Sequence, residues 1–142
     1  MPALMGQLNA IARCSNQYRN EKLEPLGLKS IHASYILHIC ADPGISQEQL
    51  SRRIYINKSN VARQLATLEE NGFVQRTPCP SDRRILRLYP TEKALQVLPE
   101  IRRILTEWEA LITADCDPEM LSQVIPFLRK LKENAAAQLQ QE

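Results

Sequence analysis

Residues 46–91, SQEQLSRRIYINKSNVARQLATLEENGFVQRTPCPSDRRILRLYPT, decide the fold. Ser46-Gln47-Glu48-Gln49 has the S-x-x-Q form of a capping box, which starts a short helix through Leu50 to Ile54. Asn57-Lys58-Ser59-Asn60 opens a second helix with Val61, Leu65 and Leu68 on one face, and Asn71-Gly72 supplies a left-handed stop. After Gly72 the period changes. Residues 73–77 and 85–89 alternate or run apolar and β-branched, as strands do. Between them residues 78–84, PCPSDRR, form a turn-rich, basic tip. Two short helices joined by a tight turn, followed by a basic hairpin, make a winged helix-turn-helix.

That order gives each polar residue a role. A helix whose core face is Val61, Leu65 and Leu68 leaves Ser59, Asn60, Arg63, Gln64 and Thr67 pointing outward, beside Lys58. A major groove about 12 Å wide admits such a helix. Arg63 can read guanine bidentately, and Asn60 or Gln64 can read adenine. Arg83 and Arg84 sit on a thin projection suited to phosphates or to a narrow minor groove, whose negative potential favours arginine. Asp82 would be repelled by DNA, so it is expected to orient the wing as an internal partner of its neighbours.

Working outward, Leu4, Leu8, Ile11, Ser15 and Tyr18 form a helical stripe that runs to Leu23 before Pro25 stops it. A helix over residues 4–24 would be about 30 Å long at 1.5 Å per residue, too long for a winged core to cover. Leu26-Gly27-Leu28 is a turn, and Ser30 is the expected N-cap of a mostly buried helix with Ile31, Tyr35, Ile36, Ile39 and Cys40. Asp42-Pro43-Gly44 ends it. Thr91 begins a long helix to about Asp115 that contains Pro99. Asp117-Pro118 caps a last helix with Val124, Phe127, Leu128 and Leu131, expected to be interrupted at Pro126, and the tail AAAQLQQE is helix-permissive. The first and last helices carry apolar faces with no third layer to cover them, which points to a homodimer.

The charge follows the same division. The 142 residues carry a formal +2, yet residues 52–93 hold nine basic and four acidic side chains while residues 94–142 hold five and eight. A basic middle of this kind is the footprint of a nucleic-acid reader. A chain this long buries roughly 68–70% of its extended surface and needs no metal or disulfide staple. No apolar run reaches 18 residues, and the opening MPALMGQLNAIARC lacks the pattern of a secretory signal. Cys14, Cys40, Cys79 and Cys116 show no CxxC spacing, so free thiols in a cytoplasmic protein are expected, with Cys79 exposed and Cys40 and Cys116 as small core residues. Four glycines, no P-loop and no Ser/His/Asp set argue against an enzyme. No cofactor is expected.

The stretch from Ala41 to Arg76, with SDRRILRLYPTEKA after it, resembles the MarR family of winged-helix regulators. Asp82, Arg84, Leu88 and Thr91 match the family's wing signature D-x-R-x-x-x-L-x-L-T, with Pro90 in place of the usual Leu. Leu26-Gly27-Leu28 matches the turn before the second helix, with Lys29 where Thr is usual. The resemblance implies one MarR-like domain over residues 1–142, mostly α with a small β-hairpin wing. Its winged helix-turn-helix lobe would span about 30–91, flanked by dimerisation helices at about 1–24 and 94–142. It implies a ligand-responsive repressor that binds a pseudopalindromic operator as a homodimer, with Lys58–Glu70 as recognition helix and Arg84 as wing arginine. A small aromatic or phenolic effector would sit in a cleft for which Tyr18, His32, Tyr35 and His38 are candidates. The two histidines lie six apart, on different sides of their helix, so no metal site is expected. One branch of the family senses peroxide through a first-helix cysteine, a role for which Cys14 is the candidate. The alternative, a winged-helix module that docks protein with the same surface, finds no acidic or proline-rich tail to support it.

Overall fold

Local hydrogen-bond chemistry sets most element boundaries in the computed structural model, which describes residues 2–139. Residues 2–108 form one compact unit and 109–139 a second. In the first unit, α1 spans Ala3–Leu23 and buries only Ser15 and Leu23. A 3-10 turn over Glu24–Leu26 follows, closed by Gly27 at φ 74°. That left-handed backbone lets Leu28 N–H reach the Leu23 carbonyl at 3.2 Å.

Helix α2 covers Ser30–Ala41, and its N-cap is Lys29 rather than the expected Ser30. Ser30 is committed elsewhere. Its N–H donates to Asn20 Oδ1 at 2.6 Å and its hydroxyl to Asn16 Oδ1 at 2.8 Å, tying the start of α2 to α1. The capping acceptor comes instead from His32, whose Nδ1 takes the Lys29 N–H at 3.2 Å.

Helix α3, Gln47–Ile54, has the capping box read from sequence: Ser46 Oγ accepts from Gln49 N–H at 3.1 Å, and Gln49 Oε1 from Ser46 N–H at 3.0 Å. It ends at Tyr55, the only non-glycine with positive φ (57°) among the described residues. A side chain in that region costs roughly 1–2 kcal/mol. The Tyr55 ring is more than half exposed and offers little packing in return. Tyr55→Gly should therefore raise stability by about 0.5–1 kcal/mol, net of the entropy glycine loses on folding. Thermal denaturation checks this, and a lowered midpoint would mean that the ring packs usefully in solution.

Helix α4, Lys58–Glu70, is capped by Asn57, whose Oδ1 accepts from Asn60 N–H at 2.8 Å. It closes with paired bonds, Phe73 N–H to Leu68 O and Gly72 N–H to Glu69 O, around Gly72 at φ 82°. Val61, Leu65 and Leu68 enter a core that includes Tyr35, Leu50 and Phe73.

Strands β1 (Val74–Cys79) and β2 (Asp82–Pro90) pair antiparallel from Val74↔Pro90 to Pro78↔Leu86. The register then breaks and Cys79 meets Asp82, so residues 83–85 bulge and the loop is only Pro80-Ser81. The hairpin thus reaches nearer its tip than residues 73–77 and 85–89, because the bulge resumes pairing beyond the arginines. The other edge of β2 is also used: Leu88 N–H donates to Ile45 O at 2.9 Å, and Gly44 N–H to Leu88 O at 2.7 Å.

Helix α5, Glu92–Thr113, starts at Thr91, whose Oγ1 accepts from Ala94 N–H at 3.3 Å. It runs unbroken through Pro99, and the division between the units falls within it. In the second unit, α6 covers Pro118–Leu139, capped by Asp117 Oδ1 on Glu119 N–H at 3.0 Å. The interruption expected at Pro126 does not occur. Proline removes one N–H, a loss this 22-residue helix absorbs. No α6 side chain is buried. The end of the expected tail, residues 140–142, lies outside the described residues. No described helix is long and apolar enough to cross a membrane.

Candidate nucleic-acid interface

Two elements carry the residues singled out above, the outer face of α4 and the end of the hairpin. On α4, Lys58, Ser59, Arg63 and Thr67 are exposed, while Asn60 and Gln64 are half-buried. The Ser59 hydroxyl donates to Asn57 Oδ1 at 2.9 Å, and that of Thr67 to the Arg63 carbonyl at 3.3 Å. Gln64 corrects the expectation of a freely outward side chain. Its Oε1 lies 3.2 Å from His32 Nε2, which ties α4 to α2.

The basic stretch is less free than its charge suggests. Glu48 holds both Arg52 (2.9 Å) and Lys58 (3.0 Å), and the Lys58 ammonium keeps its carboxyl below the usual carboxylate pKa. Arg53 pairs with Asp42 at 3.0 Å and Arg76 with Glu69 at 3.1 Å. Arg87 reaches the Gly44 carbonyl at 3.2 Å, and Lys93 the Asn71 carbonyl at 2.7 Å. Among the described residues, Arg63 and Arg83 alone in this stretch carry a guanidinium with neither an ion pair nor a hydrogen bond.

At the hairpin end, Asp82 Oδ1 accepts from both the backbone N–H and Nε of Arg84 at 3.1 Å, and Oδ2 accepts from Nη2 at 3.1 Å. This bidentate pairing holds the Asp82 carboxyl below its ordinary pKa. It leaves the Arg84 side chain 91% exposed yet fixed in direction.

Cys79 is buried, against the expected exposure, because the hairpin pairing folds the tip over it. Its Sγ lies 3.2 Å from Ser81 Oγ, and this bond, with the N–H groups of Ser81 and Asp82, lowers the thiol pKa to about 7. Cys116 is exposed rather than a core residue, since it falls in the short link between α5 and α6. Cys40 is half-buried and Cys14 is exposed.

A cleft of about 820 Å³ opens between the end of α1, the start of α2 and α4, lined by Asn20, Glu24, Lys29, His32, Gln64 and Thr67 among others. Of the four residues singled out for an effector cleft, only His32 lines it. Tyr35 is fully buried in the core, its hydroxyl without a hydrogen-bond partner among the described residues. The Tyr18 ring lies against Trp108 with centroids 4.9 Å apart. His38 is half-buried and outside the cleft. The nearness of His32 to Gln64, 32 residues apart, had no signal in the sequence.

The comparisons agree with this architecture. The model of the MarR family matches residues 34–86. An uncharacterized HTH-type transcriptional regulator of Bacillus subtilis (strain 168), YybA, is 33% identical over 103 residues, covering 72% of this chain and 69% of that protein. The crystal structure of the transcriptional regulator SlyA superposes with a TM-score of 0.92 at 27% identity, over 96% of both chains. A MarR family regulator from Listeria monocytogenes, crystallised with a 26mer DNA, superposes with a TM-score of 0.90 at 27% identity, over 97% of this chain and 92% of the other. Members of this family are regulators of transcription rather than enzymes. With its helix-turn-helix in α3 and α4 and its wing in β1 and β2, the chain belongs to the MarR family of transcriptional regulators.

Proposed function

We propose that this regulator is a cytoplasmic homodimer that represses transcription by binding a pseudopalindromic operator and lets go when a small aromatic or phenolic effector binds. The observation that carries the DNA reading is the pair of uncommitted guanidinium groups, Arg63 on α4 and Arg83 on the wing, beside the exposed and oriented Arg84. Helix α4 enters the major groove, where Arg63, Asn60 and Gln64 meet base edges while Lys58, Ser59 and Thr67 reach towards the backbone. The wing places Arg83 and Arg84 on phosphates or in the flanking minor groove, with Asp82 setting the angle of Arg84.

The dimer reading rests on apolar side chains left in solvent: Leu4, Met5 and Ile11 on α1, and Val124, Ile125 and Phe127 on α6. A two-fold dimer of helix-turn-helix units engages half-sites roughly 34–36 Å apart. For the effector, the cleft beside His32 falls within the ~300–1,000 Å³ range of small-molecule sites, and Lys29 at its wall suits an acidic or phenolate group.

Fluorescence anisotropy against palindromes upstream of the protein's own gene, across a salt series, tests the reading. Binding should weaken steeply with salt. Arg84→Ala should weaken binding to every sequence and lower the salt slope by about 1. Arg63→Ala should cost about 1–3 kcal/mol on the preferred site and relax base choice there. Equal binding to all duplexes at low salt would end the proposal.

A further inference from the structure

We infer that His32 is a positioning residue for base recognition: it holds the Gln64 carboxamide with its oxygen turned towards α2, so that Gln64 faces DNA as a hydrogen-bond donor only. The inference rests on the reading of α4 as the groove-entering helix. It follows from the chemistry of one ring. The Lys29 backbone N–H, which can only donate, points at His32 Nδ1 from 3.2 Å. Nδ1 must therefore be the acceptor nitrogen, and in a neutral imidazole the other nitrogen then carries the hydrogen. His32 is only 4% exposed, and burial, with a smaller push from the Lys29 charge, outweighs the raising effect of the Gln64 hydrogen bond and lowers its pKa from the ordinary 6.5, so the neutral ring dominates at pH 7. Nε2–H thus faces Gln64 from 3.2 Å, and the amide atom opposite it has to be an acceptor. The reverse amide orientation would set two donors against each other. Oxygen in means NH2 out.

This narrows what Gln64 can read. Bidentate recognition of adenine needs the amide oxygen for N6–H2 and the amide N–H for N7. The oxygen keeps a second lone pair, but His32 turns it towards α2, so the NH2 is the group presented to a base edge, and it suits purine N7, guanine O6 or thymine O4. Cytosine, which shows only the N4–H2 donor in the major groove, is refused. The code at this position is set by a residue that need not touch DNA, 32 positions upstream on another helix.

Two measurements on the full-length protein test this. The first needs no DNA: long-range proton–nitrogen spectra of the imidazoles at pH 7. A His32 ring with protonated Nε2 and unprotonated Nδ1 is the expected result, and an Nδ1–H or doubly protonated ring overturns the inference. The second is selection from random duplexes. The base pair read by Gln64 is the one whose preference vanishes in Gln64→Ala. There the unsubstituted protein should disfavour cytosine without preferring adenine to guanine. His32→Phe frees the carboxamide and should raise adenine over guanine about tenfold through the bidentate mode. Gln64→Glu keeps an oxygen for His32 and offers a second one outward, so preference should invert to cytosine, a result that stands even if His32→Phe folds poorly. Base profiles unchanged in both variants overturn the inference. Selection of no sequence at all overturns the DNA reading and the base code with it, and the spectra still report separately whether the ring is arranged as inferred.

Discussion

If the proposed dimer is built on α6, Phe127→Asp should leave a monomer of about 16.2 kDa and cut the affinity for a full operator by about 10²- to 10⁴-fold. The argument begins with α6, where Phe127 is 56% exposed and Met120, Val124 and Ile125 are exposed with it. Positions 120, 124 and 127 are spaced to share one helical face. Rings and branched chains left in water at this density mark a surface that another protein covers. In a two-fold interface each substitution enters twice, so two carboxylates would be buried without partners, at several kcal/mol per ion. The dimer would fail before the fold, because Phe127 contributes nothing to a core: no α6 residue is buried in the single chain. Loss of DNA affinity then follows from linkage. Two half-sites bound by one rigid dimer enjoy a high effective concentration, and independent monomers do not. Light scattering coupled to gel filtration, with anisotropy on full and half operators, reads both effects. A dimer that persists at micromolar concentration with unchanged operator affinity would place the interface elsewhere.

The features legible in the sequence share a physical trait: they are local. The Ser46–Gln49 box, the Asn57 cap and the Gly72 stop each involve residues within five positions of one another, and side-chain chemistry alone specifies them. The Asp82–Arg84 pair, two residues apart, belongs with them. The Ser30 cap failed because a local preference met distant competition from Asn16 and Asn20 on α1. Long-range partners leave no periodic trace, which hid the Ile45–Leu88 ladder and the His32–Gln64 contact. The charge excess on residues 52–93 was readable as a number but not as a surface. Most of those cations are engaged, and only the fold shows that Arg63 and Arg83 are not.

Leu65→Ala should lower the stability of the protein by about 2–5 kcal/mol, the range for removing a buried leucine side chain whose cavity does not collapse. Leu65 is the middle of the Val61, Leu65, Leu68 face of α4 and is wholly buried in the principal core. The same core draws on α2, α3, the strands and α5, and close packing among their own buried side chains leaves them little freedom to fill the space. Against a total of roughly 5–15 kcal/mol this is a large fraction. At about 4 °C per kcal/mol the melting temperature should fall by roughly 8–20 °C, measured at fixed protomer concentration because assembly contributes. Leu95→Ala on α5 is the control. Leu95 is 46% exposed, so its loss should cost well under half as much. The two variants also separate stability from recognition. Neither removes a polar group from the outer face of α4, so the folded fraction of Leu65→Ala should keep the same base preferences and the same salt slope, with only the fraction competent to bind reduced. A Leu65→Ala protein that melts within a degree or two of the unsubstituted chain would mean that α4 is seated by its caps and by the His32–Gln64 tie rather than by its apolar face.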